Sequence, residues 1–455
     1  MGDEGLILAG AERILSGKIP FRDFFSLVPP GIYYLLAITW AIFGKYYLVT
    51  SLLTIFIAWF ICIFIYLNSR LILNKTWSML ATFLFAVLLH TSHNILSFHW
   101  LATLMVLISV WQLNKYIVIP KTKYLITSGI SLGLGAFFLH TKPVLVIIIM
   151  ALWILWQEKK QSAWQLAFKK AGIFCLSVGL TFFILIIPFV LKSGLATVWQ
   201  NLIISNLYYY PKLGYIKLTK NFLFYLFIVN QLFLLLLIFI KNKPRQISLY
   251  LAISLGLFLS CLYRFDLIHL AYIYPTFSLI LIFYLIDKIN TPYKYFPKII
   301  ITIFLIIQYI LLYFPWIDIY TQKKSWYPVS TDIGQVYFGP VPSTIVKSVM
   351  ETLKDIPEKE IFIYPYAAYY YNFASKENPT RYDIVFEDYL SEEAKYEIVN
   401  DLQTKNIKHI VYLPATNPNH EQQTKIIHDY IAKNYTEQKI NYGNFEAYFY
   451  LYTKK

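Results

Sequence analysis

The first 315 residues hold few acidic side chains, and most of these lie between apolar stretches. They are Asp3, Glu4, Glu12, Asp23 and Asp266. A carboxylate can act as a general base that removes a proton from an acceptor hydroxyl in the transition state. On insertion scales, a charge at the bilayer centre costs about 2.5–3.5 kcal/mol. Carboxylates grouped beside apolar segments therefore indicate a site at a membrane surface.

Asp3 and Glu4 are the candidate catalytic residues. Asp3 precedes a predicted helix over residues 4–16, which Gly17 can end. Asp3 is either the N-cap of this helix or a general base, with Glu4 beside it. Asp23 follows Arg22, so the two either form a local ion pair or belong to the site.

A second polar group, Arg264, Asp266 and His269, interrupts a long apolar hairpin. One interpretation is a tight interfacial turn in which Arg264 pairs with Asp266. The other is a phosphate site, since a guanidinium group matches phosphate oxygens bidentately. Fixed positive charge would stabilise the negative charge that develops on a departing phosphate.

The composition predicts an integral membrane protein. Hydrophobic residues make up 58% of the chain and charged residues 14%, well below the usual charged fraction of a soluble domain. The +15 net charge arises in residues 1–315, whereas residues 316–455 are slightly acidic, which argues against a nucleic-acid partner. Cys62, Cys175 and Cys261 lie in apolar stretches and indicate neither a disulfide framework nor a metal cluster.

The apolar segments predict an all-α polytopic domain of about ten spans over residues 1–315. The spans are placed at 46–67, 77–92, 99–114, 124–140, 143–157, 171–191, 222–240, 246–263, 268–287 and 298–315. The 16-residue segment 29–44 is shorter and begins with Pro29-Pro30-Gly31, so we expect a re-entrant or interfacial helix. The aromatic segment 192–221 reads as amphipathic and interfacial.

Basic residues concentrate in alternate short loops, which favours a cytoplasmic position for those loops. Residues 1–45, 192–221 and 316–455 are then extracytoplasmic, in a protein of the cytoplasmic (inner) membrane. Met1 is followed by Gly2 and Asp3 without a signal peptide. We therefore expect a preceding span to be missing from this reading frame; the alternative is insertion with the N-terminus outside.

Residues 3–44 resemble a known family in the order and spacing of their motifs. The matching segments are Asp3-Glu4-Gly5, Ala11-Glu12-Arg13-Ile14-Leu15, Gly17, Pro20-Phe21-Arg22-Asp23-Phe24, Pro29-Pro30-Gly31-Ile32-Tyr33-Tyr34 and Phe43-Gly44. They look like the first extracytoplasmic loop of GT-C fold glycosyltransferases that use polyprenyl-phosphate sugars, such as the protein O-mannosyltransferases and lipid A aminoarabinose transferases. The resemblance implies a membrane helix before Asp3, two juxtamembrane helices, and Asp3 as the catalytic residue.

Two further segments bear on this resemblance. The small-residue run 128–135, followed by Thr141-Lys142-Pro143, is similar to a family helix that ends near the site, which implies a phosphate contact for Lys142. Close helix packing through small residues is the other interpretation of the run. The second outer loop departs from many family members because it has no carboxylate. His90 and His93 could hold a metal, but a metal-independent mechanism without cofactor is the expectation.

Residues 316–455 predict a small soluble α/β domain. Strand-like runs lie at 361–364, 409–413 and 445–451, and helix-like runs at 343–355, 391–405 and 420–434. A role in acceptor recognition or as a lid is a hypothesis based on position.

Together these features favour a membrane glycosyltransferase. It would transfer a sugar from a polyprenyl-phosphate donor to a hydroxyl of an unidentified glycan, lipid or protein acceptor, on the extracytoplasmic face. Two alternatives remain. A transporter would need inverted repeats and polar residues at mid-membrane, and neither is evident; a non-catalytic envelope-assembly protein would tolerate the loss of Asp3.

Overall fold

The computed structural model describes most of the chain. The described residues are 2–92, 95–160, 163–209, 228, 229, 232, 234, 237, 243–261, 276–288, 326–365, 367–385, 390–414, 424–441 and 448–455. The predicted spans at 222–240 and 298–315 lie largely or wholly outside these residues.

Two short helices come first. Helix α1 spans Gly2–Leu15 and is followed by Gly17, whose φ of +79° lies in the left-handed region that glycine adopts readily. Helix α2 spans Gly31–Phe43, directly after Pro30, and Gly44 ends it with a φ of +91°. The predicted 4–16 helix and its glycine stop are therefore confirmed.

In the described part of the chain, eight further helices form the main bundle, and two short helical segments follow the sixth of them. They are α3 (Tyr47–Ser69), α4 (Lys75–Ser92), α5 (Phe98–Val118), α6 (Thr122–Phe138), α7 (Thr141–Lys159), α8 (Trp164–Ser193), α9 (Leu195–Trp199), the π-helix Gln200–Tyr209, α10 (Arg245–Cys261) and α11 (Phe277–Lys288).

The structure corrects the expected number of spans. In the described part of the chain, α3, α5, α7 and α8 are long and apolar enough to cross a membrane. Their mean hydropathies are 2.6, 1.4, 1.5 and 2.7. Other predicted spans form shorter apolar helices, such as Arg245–Cys261, or fall among the residues not described. A helix needs about 20 apolar residues to cross the hydrocarbon core, and these helices have fewer.

Small residues bring α6 close to α8. A Cβ added to Gly129 would lie 2.7 Å from the carbonyl oxygen of Phe174. A Cβ on Gly133 would lie 2.6 Å from the Cβ of Thr181. Close approach of helix backbones through small residues is characteristic of membrane bundles, so the packing interpretation of the 128–135 run is confirmed.

A small α/β domain follows the bundle. A hairpin of β1 (Tyr327–Thr331) and β2 (Gly334–Phe338) precedes α12 (Pro340–Asp355). A four-stranded sheet in the order β3-β4-β6-β5 then forms from β3 (Phe362–Tyr364), β4 (His409–Tyr412), β5 (Tyr435–Asn441) and β6 (Tyr448–Lys454). Strands β3 and β4 are parallel, and the other two pairs are antiparallel.

The remaining helices of this domain are α13 (Tyr369–Phe373), α14 (Glu392–Thr404) and α15 (Lys425–Asn434). The predicted α/β class is confirmed. The first two predicted strands coincide with β3 and β4, whereas the third lies nearer the C-terminus than expected. The β1–β2 hairpin and β5 were not predicted.

The C-terminal domain packs on the segment between α1 and α2. The backbone amide of Phe25 donates to the carbonyl of Arg381 at 2.9 Å, and Nη2 of Arg381 donates to the carbonyl of Phe21 at 2.5 Å. The rings of Phe25 and Tyr382 lie 5.5 Å apart. Tyr47, at the start of α3, donates its amide hydrogen to the carbonyl of Ile333. The domain is thereby held against one end of the bundle.

Candidate active site

A cavity of about 110 Å³ lies where the first segment, the helix bundle and the C-terminal domain meet. The starts of α5 and α7 and the ends of α6 and α10 contribute residues to its wall. The polar residues at the cavity include Asp3, Tyr33, His99, Lys142, Asn206 and Asp383. Each comes from a different part of the chain. Only the tertiary fold brings them together.

Two residues singled out from the sequence share this cavity. Asp3 lies in the first turn of α1, and Lys142 lies in the first turn of α7, next to Pro143. Lys142 is only 5% exposed, so its charged side chain is almost fully buried. An aspartate and a lysine therefore line one partly enclosed space. This pairing permits proton removal on one side and anion stabilisation on the other.

The rest of the cavity is mainly apolar. Leu6, Ile7, Phe24, Val28, Phe98, Leu139 and Ile384 contribute to its wall. Most of these side chains are buried, and an apolar wall strengthens the electrostatic effect of the few charged groups it surrounds. Such a mainly apolar pocket with a few convergent polar groups is typical of a small-molecule site.

Asp383 is a cavity residue that the sequence analysis missed. Its Oδ1 accepts hydrogen bonds from Nη2 of Arg13 at 2.8 Å and from Nδ2 of Asn378 at 2.9 Å. Arg13 also donates to the carbonyl of Thr380 at 2.9 Å. No local motif in the sequence singled out this aspartate.

His99 is a second cavity residue without an assigned role in the sequence analysis. It lies in the first turn of α5, after the Ser97 N-cap, and is 4% exposed. The Ser97 hydroxyl accepts from the His99 backbone amide and fixes the start of the helix. The predicted second outer loop contains this histidine, and its position at a helix start is the signal that could have identified it.

Glu4 does not line this cavity. Its Oε1 accepts from the backbone amide of Leu96 at 3.1 Å, and its Oε2 accepts from the Tyr47 hydroxyl at 3.1 Å. Burial raises the pKa of the Glu4 carboxyl, and these hydrogen bonds partly oppose that shift. Glu4 thus ties α1 to the starts of α3 and α5, and thereby positions Asp3 beside it.

Arg22 and Asp23 form the local ion pair. Arg22 Nε and Nη2 each donate to one oxygen of Asp23 at 2.8 Å, and Asp23 also accepts from the backbone amide of Ile19. The Arg22 guanidinium is the main reason why the pKa of the Asp23 carboxyl is lowered. Neither residue is among those lining the 110 Å³ cavity.

The other predicted site residues cannot be placed. Arg264, Asp266 and His269 lie outside the described residues, as does His93. Within the described segments, no group of three or more His, Cys, Asp or Glu side chains is arranged to hold a metal ion.

Comparisons with known proteins address the fold. No protein-family profile and no curated protein matches the sequence. Among solved structures, the apo oligosaccharyltransferase of Archaeoglobus fulgidus aligns with 98% of this chain and 71% of its own, with a TM-score of 0.55 and 10% identity. At this identity the likeness concerns the fold alone. The chain therefore has a GT-C-like fold, as its resemblance to that class implies.

Proposed function

We propose that this protein is a membrane glycosyltransferase that moves a sugar from a polyprenyl-phosphate donor to an acceptor hydroxyl. The observation that carries the proposal is the presence of Asp3 and Lys142 in one cavity. The similar fold of an oligosaccharyltransferase supports the reaction class. The polyprenyl-phosphate donor, the hydroxyl acceptor and the side of the membrane on which transfer takes place all belong to this proposal.

Asp3 serves as the general base. The acceptor oxygen attacks the anomeric carbon, the bond between that carbon and the phosphate oxygen breaks, and the acceptor proton passes to the Asp3 carboxylate. A positioned base contributes about 10²- to 10⁴-fold to such a step. Asp383, held by Arg13, lies at the same cavity and adds a second carboxylate that can accept a hydrogen bond from sugar hydroxyls.

Lys142 meets the phosphate that leaves. Its positive charge interacts more strongly with the phosphate as negative charge develops on the departing oxygen, which lowers the barrier. Arg264, Asp266 and His269 lie outside the described residues, and their contact with the donor phosphate is part of the proposal. Glu4 acts as a positioning residue through Tyr47 and Leu96, and the Arg22–Asp23 pair shapes the turn that carries Phe24.

The apolar part of the cavity suits the first isoprene units of the donor, whose chain remains in the bilayer. We propose that the cavity opens toward the extracytoplasmic side of a cytoplasmic (inner) membrane, as the distribution of basic loops indicates. No cofactor is required for the proposed step. A divalent cation remains an alternative for the phosphate, to be tested with a chelator in the assay below.

The test is transfer from a radiolabelled polyprenyl-phosphate sugar by the full chain in proteoliposomes. Asp3→Asn should lower transfer at least about 100-fold. Asp355→Asn, at an exposed position at the end of α12, is the matched control and should retain it. Equal transfer by all three proteins would overturn the role of Asp3. Solute uptake by the wild type without any transfer would favour a transporter, and neither activity would favour an assembly protein.

A further inference from the structure

A second cavity shares the side chain of Asp383 with the first. Its volume is about 260 Å³, and α1, the segment after it and the C-terminal domain surround it. Asp383 lines both cavities, whereas Arg13 lines only the second cavity. We call this second space the basic cavity, because five cationic side chains line it: Arg13, Lys18, Lys45, Lys359 and Lys376.

Acidic neighbours compensate only part of this charge. Glu12 pairs with Lys45 at 2.6 Å, and Glu377 pairs with Lys359 at 2.7 Å. Asp383 pairs with Arg13 at 2.8 Å. These pairs account for the three acidic side chains that line the cavity. Positive charge is therefore left over at the two remaining lysines.

Lys18 and Lys376 carry that excess. Lys376 Nζ donates to the carbonyl oxygens of Ile356 and Glu358, and the nearby carboxylates of Glu358 and Asp332 compensate part of its charge. Lys18 forms no ion pair with any residue in the described part of the chain. A ligand that carries one or two negative charges would complement this cavity.

Asn372 indicates that the ligand also offers hydrogen bonds. Its side chain lines the basic cavity, and the residue is only 1% exposed. Neither Nδ2 nor Oδ1 has a hydrogen-bond partner among the described residues. An unsatisfied buried polar group costs about 1–3 kcal/mol. An amide provides donor and acceptor together, and adjacent sugar hydroxyls can pair with both.

We propose that the basic cavity is the acceptor subsite and binds a saccharide that carries a carboxylate or phosphate group. This proposal rests on the proposed function. The anionic group meets Lys18 and Lys376, and ring hydroxyls meet the Asn372 amide. A neighbouring hydroxyl then reaches past Asp383 toward Asp3 in the 110 Å³ cavity, which we call the donor cavity. Asp383, which Arg13 holds in place, then lies between the two substrates.

The experiment measures equilibrium binding to the full chain in nanodiscs at low ionic strength. The probes are a glucuronate-containing tetrasaccharide, a mannose 6-phosphate-terminated oligosaccharide, neutral chitotetraose and inorganic phosphate. The wild type should bind at least one anionic oligosaccharide more tightly than the neutral probe, and added salt should weaken this binding. The two anionic probes distinguish a carboxylate from a phosphate.

Three variants locate the binding. Lys18→Gln and Asn372→Leu should each weaken binding of the preferred oligosaccharide by roughly tenfold. Lys347→Gln, at an exposed position of α12, is the matched control and should not change it. The proposal is overturned if chitotetraose or inorganic phosphate binds as tightly as the anionic oligosaccharides. It is also overturned if no probe binds, or if neither variant weakens binding.

Transfer from the labelled donor, measured in parallel, separates the two proposals. Asp3-dependent transfer without oligosaccharide binding at Lys18 and Asn372 would overturn the acceptor subsite and leave the proposed function standing. In the opposite case, binding depends on Lys18 and Asn372, but Asp3→Asn transfers sugar as fast as the wild type. That result would overturn Asp3 as the catalytic residue and leave the basic cavity as a saccharide site.

Discussion

Arg13 Nη2 lies 2.8 Å from Asp383 Oδ1 and joins two residues that are 370 positions apart. Both side chains are less than one-tenth exposed. The pair connects the last turn of α1 to the C-terminal domain, and its aspartate lines both the 110 Å³ cavity and the basic cavity. A single contact therefore supports both the docking of the domain and the arrangement of the two cavities.

Replacing Arg13 by Met should destabilise the protein strongly. Asp383 would keep only Asn378 as a partner, and an uncompensated buried carboxylate costs about 3–5 kcal/mol. Thermal unfolding in detergent should show a lower Tm, and limited proteolysis should cut the C-terminal domain sooner. The double variant Arg13→Met with Asp383→Asn should recover part of this loss. Lys359→Met breaks an exposed pair and should change stability by less than about 1 kcal/mol; an equal effect would contradict the prediction.

Lys142 should contribute through its charge. We expect Lys142→Gln to reduce kcat/KM for the labelled donor by roughly 10- to 100-fold, since a hydrogen bond to a charged group contributes about 1.5–3 kcal/mol. Lys142→Arg should retain more activity than Lys142→Gln because the charge remains. Lys347→Gln serves as the control for the loss of a lysine. If the arginine and glutamine variants were equally impaired, packing at this buried position, and not charge, would explain the effect.

Local signals in the sequence predicted a large part of this structure. The helix predicted over residues 4–16 follows from the position of Gly17, the second short helix from the apolar segment 29–44, and the α/β class of the tail from periodicity. Lys142 was predicted from the resemblance of Thr141-Lys142-Pro143 to a family segment near the site, and it lines the cavity together with Asp3. These features depend on neighbours within a few residues.

Asp383, Asn372 and His99 could not be assigned in the same way. Asp383 acquires its role from Arg13, and Asn372 from the basic cavity, so both depend on contacts between distant segments. No periodicity or spacing records such a contact. The count of spans was overestimated for a different reason: apolar runs were counted as spans although several form helices of 17 or fewer residues. Arg264, Asp266 and His269 remain predictions.

Glu4 should make stability depend on pH. Burial raises the pKa of its carboxyl above the ordinary value of 4.5, so the folded protein holds this proton more tightly than the unfolded chain does. Its contribution to stability is therefore fully present below about pH 4.5 and decreases as the pH rises through the folded pKa. Glu4→Gln removes the ionisation and should flatten this part of the profile. Tm measured from pH 4 to pH 8 tests this, and parallel profiles for both proteins would contradict it.

The contact between Gly10 and Tyr33 gives a prediction about the donor cavity, because both residues line it. A Cβ on Gly10 would lie 2.5 Å from Cδ1 of Tyr33. The ring is 6% exposed and its hydroxyl lies 3.0 Å from Oγ of Ser26, so it has little room to move. Gly10→Ala should cost about 1–3 kcal/mol through overpacking. It should also lower donor transfer, since Tyr33 would be pushed into the cavity.

Gly172→Ala in α8 is the matched control for this substitution. No heavy atom lies within 4 Å of the Cβ that it would add. Alanine in a helix is favoured over glycine by about 0.5–1 kcal/mol, so this variant should be as stable as the wild type or more stable, with unchanged transfer. Thermal unfolding and transfer by the two alanine variants are to be compared in the same lipid. Wild-type stability and transfer in Gly10→Ala would show that Tyr33 can move aside and does not define the cavity wall.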